Sequence, residues 1–260
     1  MTGTDTTIHQ GRGRTAETWI RTFRDRPVLP LVILLAILVV AFIGLNPRTN
    51  VSEWIASTLR AAVPLAILAG CQTLVMLTGG IDLSVAATAS MAAFVTASLL
   101  DQQGLAVAIA VPLVVAVVIG AINGIGSGVF RVHPLIMTLG MGLVIFGAAN
   151  AWQLLTVKTS SGVPAVIRSI GSGTFVGFLP VSLLVFVPVA AIILVGLRRT
   201  GYGRLLYAIG DNPIAARLSG ARSWQVLVVL YAISAVLAAI PGHEQGSSGS
   251  VGTSGSGSRT

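Results

Sequence analysis

The sequence predicts an all-α polytopic membrane protein with about seven transmembrane helices. Three observations lead there. Of 260 residues, 54% are hydrophobic and 9% charged, with a mean hydropathy of +0.89, whereas a soluble domain carries about 25% charged residues. Seven apolar runs approach or exceed the ~17 residues that a helix needs to cross a bilayer. The charges fall between those runs, and no strand-type alternation replaces them.

Taken in order, the runs are 28–45, 61–78, 84–100, 105–126, 135–157, 179–197 and 224–240. Residues 1–26 form a polar tail holding Arg12, Arg14, Arg21, Arg24 and Arg26. The first run ends in Gly44-Leu45-Asn46-Pro47-Arg48 rather than at a small-residue cleavage site, so it reads as a retained span with a cytoplasmic N-terminus. Alternating the spans from that start puts Arg131, Arg198, Arg199, Arg204, Arg217 and Arg222 on the same side as the tail. Only Arg48, Arg60, Lys158, Arg168 and Arg259 fall on the other. The excess lies inside, as the positive-inside rule requires. A net charge of +8 therefore reflects topology, and with no basic stripe of interleaved aromatics no nucleic-acid partner is expected.

Ahead of the second run, Val51, Trp54, Ile55 and Leu59 share one helical face opposite Ser52, Glu53 and Ser57, predicting an interfacial amphipathic helix over 51–60 that rests on membrane lipid. Small residues repeat every four positions in three runs: Ala62, Ala66 and Gly70; Ala89, Ala93 and Ala97; Gly120, Gly124 and Gly128. Such ladders let helix backbones approach closely in lipid. Pro64, Pro112 and Pro188 interrupt helices whose neighbours must compensate.

Within the runs the polar groups are uncharged, among them Gln72, Thr73, Asn123, Asn150 and Gln153. An ion-relay pump or a membrane enzyme would place acids, bases or histidines there. His9, His133 and His243 are scattered, Cys71 is the only cysteine, and no metal site, cofactor or catalytic residue is expected. Val157 precedes the sole lysine, Lys158, so the Gly-Lys-[Ser/Thr] step of a Walker A loop is missing. Nucleotide hydrolysis would have to come from a partner.

Two loops are informative. In Thr78-Gly79-Gly80-Ile81-Asp82-Leu83-Ser84 the glycines break one helix and Asp82 or Ser84 can cap the next. The alternative is a break lining a translocation path, to which Asn123 would add a polar group. In the segment 198–222, Asn212 suits an N-cap, Pro213 the first helical position and Gly220 the position just past the end. Ile214 and Leu218 lie on one face of that short helix, and Arg217 sits in its last turn. Two turns do not persist alone in water, so this helix needs something to dock on: its own membrane domain, the lipid surface or a cytoplasmic partner.

At these residues a family resemblance emerges. Leu77-Thr78-Gly79-Gly80-Ile81-Asp82-Leu83-Ser84-Val85 resembles the signature of permease subunits of bacterial sugar ATP-binding-cassette importers, the ribose/xylose/galactoside group. The stretch from Arg131 to Gly140 is similar to a second motif, with His133 and Leu135 replacing commoner residues. The stretch from Gly203 to Gly220 resembles the family's cytoplasmic loop, where Gly often stands in place of Asp211 and Glu in place of Ile214. The resemblance runs from about residue 25 to 240. It implies a pore-forming subunit of the inner membrane that dimerises, docks cytoplasmic ATPases and receives sugar from an extracytoplasmic binding protein. It also implies that the coupling element comprises Gly203, Arg204, Asn212, Pro213, Ile214, Ala215, Ala216, Arg217, Leu218 and Gly220. Ile214 and Leu218 would fill the ATPase groove and Arg217 would pair with its acidic rim. Importers of branched-chain amino acids or nucleosides are the alternative within the fold family, and a truncated, non-transporting product is the alternative outside it.

The permease domain is expected over 27–242. Residues 243–260 are Gly/Ser-rich and predict a disordered tail where family members continue with further spans, as a frameshift or truncation near 241 would produce.

Overall fold

The computed structural model describes residues 28–156, 174–176 and 179–248. The expected tail over 1–26, Lys158, Arg168 and residues 249–260 lie outside the described residues. The chain divides into two compact units, Met1–Trp54 and Ile55–Thr260.

In the first unit, α1 (Val28–Leu45) matches the first predicted span and buries none of its residues. A helix of this length that is apolar on every side is suited to lipid. After the turn at Asn46–Asn50, Phe42 stacks on Trp54 with ring centroids 4.7 Å apart. Trp54 opens α2 (Val51–Met76), one continuous helix in which the expected interfacial segment and the second span are joined.

In the second unit, α2 buries Val63, Pro64, Ile67, Cys71, Leu74 and Val75 along one stripe. The third and fourth predicted spans form α3 (Val85–Gly128), broken at Gly104, whose φ of 78° and ψ of 170° are not helical. The two arms lie side by side and antiparallel: Ser84 bonds Asn123, Ala92 and Ala116 share one core cluster, and Leu100 packs with Ala108. Gly104 is thus the turn of a hairpin, in a φ region where a Cβ is strained.

Next, α4 (Pro134–Thr156) runs parallel to the first arm, pairing Thr138 with Leu83 near its start and Trp152 with Ser98 near its end. A two-stranded antiparallel hairpin, β1 (Thr174–Val176) with β2 (Leu179–Pro180), leads into α5 (Leu183–Arg199). After a 72° bend comes α6 (Gly201–Asp211), then α7 (Pro213–Leu218) and α8 (Ser223–Ser248).

Five helical stretches among the described residues are long and apolar enough to cross a membrane, or six if α5 and α6 form one broken span. The expected seven are not all reproduced. Val85–Leu100 is a shorter apolar helix, and the span expected over 179–197 begins as strand and becomes helical only at Leu183. Both runs sit near the ~17-residue lower limit for crossing. The last helix differs too. It passes through buried Pro241 to Ser248, so residues 243–248 are helical rather than the disordered tail expected of them. A proline removes one N–H bond, and packed neighbours let the helix continue past it.

The glycine ladder of α3 lies against the backbone of α8, while in the alanine ladders Ala89 is buried. A Cβ on Gly120 would run into the Tyr231 carbonyl and one on Gly124 into Val228 Cα, while on Gly128 it would come within 3.0 Å of Trp224 Cα. The second arm of α3 and α8 therefore cross antiparallel at backbone distance. Ala62 and Ala97 are exposed, and the buried residues beside them are Val63, Ile67, Ala92 and Thr96. A strict four-residue repeat drifts off one face of a helix with 3.6 residues per turn.

Candidate functional site

Three loops that the charge alternation places on one side of the membrane meet at one end of the second unit. A Cβ on Gly80 would come within 3.6 Å of Pro134 Cβ, and one on Gly210 would strike the Leu77 carbonyl. The segment 77–84, the turn before α4 and the α6–α7 region are thus packed together.

The first element of this end is a buried polar network. Asp82 Oδ1 accepts from the Ser84 N–H at 2.9 Å and from the Ser84 hydroxyl at 2.6 Å. Asn123 Nδ2 donates to Ser84 Oγ at 2.8 Å, fastening the loop to the far arm of the α3 hairpin. Asp82, Ser84 and Asn123 are all buried. Burial pushes the Asp82 carboxyl above its ordinary range, while the two bonds from Ser84 pull it back. Between the two capping candidates, Asp82 supplies the acceptor; Ser84 flanks α3 without a side-chain cap of its own. Gly79 takes a φ of +76°, the conformation that ends α2 and reverses the chain.

Sequence reasoning missed Thr138. Its hydroxyl donates to the Ile81 carbonyl at 3.1 Å and accepts from the Leu83 N–H at 3.0 Å, satisfying the unwound backbone on both sides of Asp82. The signals in the sequence are its position inside an apolar run, one turn from the helix start, and its place in the Arg131–Gly140 motif.

The second element is α7. Asn212 Oδ1 accepts from the N–H groups of Ile214 and Ala215 at 3.1 and 3.0 Å, Pro213 begins the helix, and Gly220 follows it with a φ of +88°. The three expected cap residues occupy their expected positions. Ala216 is buried, and Ala215 and Ala216 face a cavity of about 660 Å³ between α7, α6 and the start of α8. Ile214 and Leu218 point away, 66% and 85% exposed. Arg217 is exposed as well, and its Nε donates to the Pro213 carbonyl at 3.1 Å.

The loop also contains α6, which was not anticipated as a separate helix. Its signal was the spacing of Gly203, Leu206 and Ile209, all buried. Gly203 packs directly against the Leu197 carbonyl where the chain bends, while Arg204 is exposed. Thr200 Oγ1 caps α6 by accepting from the Gly203 N–H at 3.1 Å.

A third feature lies between the first arm of α3 and α4, reaching Leu83 of the helix break at one end. A cavity of about 490 Å³ is lined by Phe94, Phe146, Ser90, Asn150 and Gln153 among others, with no charged side chain. Among the described residues no group of three or more His, Cys, Asp or Glu side chains could hold a metal ion.

Comparison with known proteins fits this architecture. Residues 54–256 match the profile of a family described as "Branched-chain amino acid transport system / permease component". That match extends beyond residue 240, where the resemblance read from the motifs stopped. The chain is 27% identical over 221 residues to the fructose import permease protein FrcC of Rhizobium meliloti, covering 82% of this chain and 61% of that protein. It is 31% identical over 209 residues to the autoinducer 2 import system permease protein LsrC of Klebsiella pneumoniae, covering 79% and 59%. It is 30% identical over 241 residues to the ribose import permease protein RbsC of Escherichia coli K12, covering 89% and 71%. The chain thus spans about three fifths of the length of the first two. No solved structure matches it. On the extent of the profile match and the similarity to RbsC, the chain belongs to the family of membrane permease components of the branched-chain amino acid transport system type.

Proposed function

We propose that this chain is the membrane-embedded permease subunit of an ATP-binding-cassette importer for a sugar, working in a bacterial inner membrane with its N-terminus in the cytoplasm. The observation that carries the reading is α7. It is capped at both ends and presents Ile214 and Leu218 to the surroundings at the end where Arg131, Arg204, Arg217 and Arg222 gather. Apolar side chains on so short a helix call for a protein groove to cover them.

On this reading α7 seats in a cytoplasmic ATPase, Arg217 meets its acidic rim, and Gly203 and Arg204 belong to the lever that joins α7 to α5. Closure of the ATPase dimer moves α7 and, through the α5–α6 bend, tilts the spans in alternating access. A permease homodimer in membrane lipid and an extracytoplasmic sugar-binding protein complete the assembly. Gly79, Gly80, Asp82, Ser84 and Asn123 hold the helix break beside the path, and the bonding among Asp82, Ser84 and Asn123 supports a positioning role over direct contact with solute.

The names of FrcC, LsrC and RbsC support a small hydroxylated solute. The uncharged cavity between α3 and α4 suits one, whereas the charged ends of an amino acid would need partners that this cavity lacks. The deciding experiment is co-purification of the full chain with a co-expressed candidate ATPase subunit, comparing wild type with Arg217→Glu and Leu218→Asp. Reduced ATPase recovery at unchanged membrane insertion is expected. Equal recovery from all three would refute the docking role.

A further inference from the structure

The end of the unit where the loops meet has a second concavity, of about 610 Å³, beside α7. It is bounded by the end of α3, the start of α4 and the start of α8, and its lining includes Arg131, Arg217, Arg222, His133, Ser223 and Trp224. None of the residues lining it is acidic. Three arginines and no acid bordering one concavity give it a positive field that draws anions. With Arg217 turned to the proposed ATPase contact, Arg131 and Arg222 are the arginines that serve such an anion. The Ser223 hydroxyl oxygen is buried without a hydrogen-bond partner.

Backbone geometry points the same way. Arg131 holds a φ of 56°, a left-handed conformation uncommon for a non-glycine residue, fixed by the Val132 N–H donating to the Gly126 carbonyl at 3.0 Å. Two long helices, α4 and α8, begin at the cavity and add the positive ends of their dipoles. Trp224, 46% exposed, sits at its rim. Tryptophan at the level where spans end is characteristic of headgroup depth.

We propose that this cavity is a phosphate-binding site, gripped chiefly by Arg131 and Arg222, with an anionic phospholipid headgroup as the source that its depth favours. The guanidinium fork matches phosphate oxygens two at a time, and basic pockets between spans on the cytoplasmic side suit anionic headgroups. The site lies beside the proposed ATPase contact and does not depend on which solute is carried.

The test uses the full chain in nanodiscs of phosphatidylcholine alone or with phosphatidylglycerol, and in detergent with inorganic phosphate or chloride at matched ionic strength. Thermal midpoint and lipid retained in native mass spectrometry are read for wild type and for Arg131→Gln with Arg222→Gln. A raised midpoint and retained phosphatidylglycerol are expected for wild type, with binding roughly 30-fold weaker in the double variant. A response to inorganic phosphate alone, lost in the double variant, would assign the same site to free phosphate. Should the double variant lose its helical signal, the wild-type contrast between the two lipids decides. The proposal is overturned by equal lipid retention in wild type and folded variant, or by no effect of phosphatidylglycerol or phosphate. Retention of the ATPase that depends on Arg131 without either effect would likewise overturn it, in favour of an acidic protein surface.

Discussion

Replacing Gly124 by alanine places a methyl group in the crossing of α3 and α8. The new carbon would overlap Val228 Cα and lie 3.0 Å from both Leu227 O and Val228 N. All three are backbone atoms, so no side chain can turn aside. Non-bonded carbons settle at roughly 3.5–4.0 Å, which requires α8 to withdraw by about 1 Å along a contact also made at Gly120 and Gly128. Overpacking of this kind costs about 1–3 kcal/mol. Alanine recovers up to ~1 kcal/mol in helix propensity over glycine. With the full propensity gain subtracted, the net expectation is a destabilisation of about 0–2 kcal/mol, or about 1–3 kcal/mol relative to a helical glycine-to-alanine change without the overlap. Gly147 in α4 provides the control, because a Cβ there meets nothing within 4 Å, so Gly147→Ala should be neutral or stabilising. Unfolding of both variants in detergent, followed by circular dichroism, separates the terms. If Gly124→Ala proves as stable as Gly147→Ala, the close crossing of α3 and α8 is refuted.

Three further outcomes follow from the loop end. Asp82→Ala orphans the buried N–H and hydroxyl of Ser84 and should destabilise by about 1–3 kcal/mol per group. Asp82→Asn keeps an acceptor and should cost less in the same unfolding assay; equal losses would show that hydrogen-bond acceptance is not what matters. Thr138→Val removes the bonds to Ile81 and Leu83 and should lower the midpoint, whereas Thr138→Ser should restore most of it. Asn212→Ala removes the acceptor of two N–H groups and should weaken α7 by about 1 kcal/mol. Hydrogen exchange over residues 213–218 would speed up severalfold, and unchanged protection would refute the cap.

Local chemistry was legible in the sequence wherever one residue decides the outcome. Asn212, Pro213 and Gly220 fix α7 because a cap, a pre-set φ and a left-handed φ are each properties of a single side chain and its own backbone. Long apolar runs likewise located most of the helices, since lipid demands that length and composition of any spanning segment. The tertiary structure alone decided which of several equivalent patterns is used. Three small-residue ladders look alike in the sequence, and only the packing reveals that Gly120, Gly124 and Gly128 meet the backbone of α8, because that depends on which helix lies opposite. Asn123 lies 39 residues from Ser84 and Thr138 lies 55 from Leu83, and Pro241 resembles a helix end. Their bonding and burial arise only when the α3 hairpin folds at Gly104 and α4 and α8 pack against it, because a buried polar group or a mid-helix proline is tolerated only by neighbours that the local sequence does not contain.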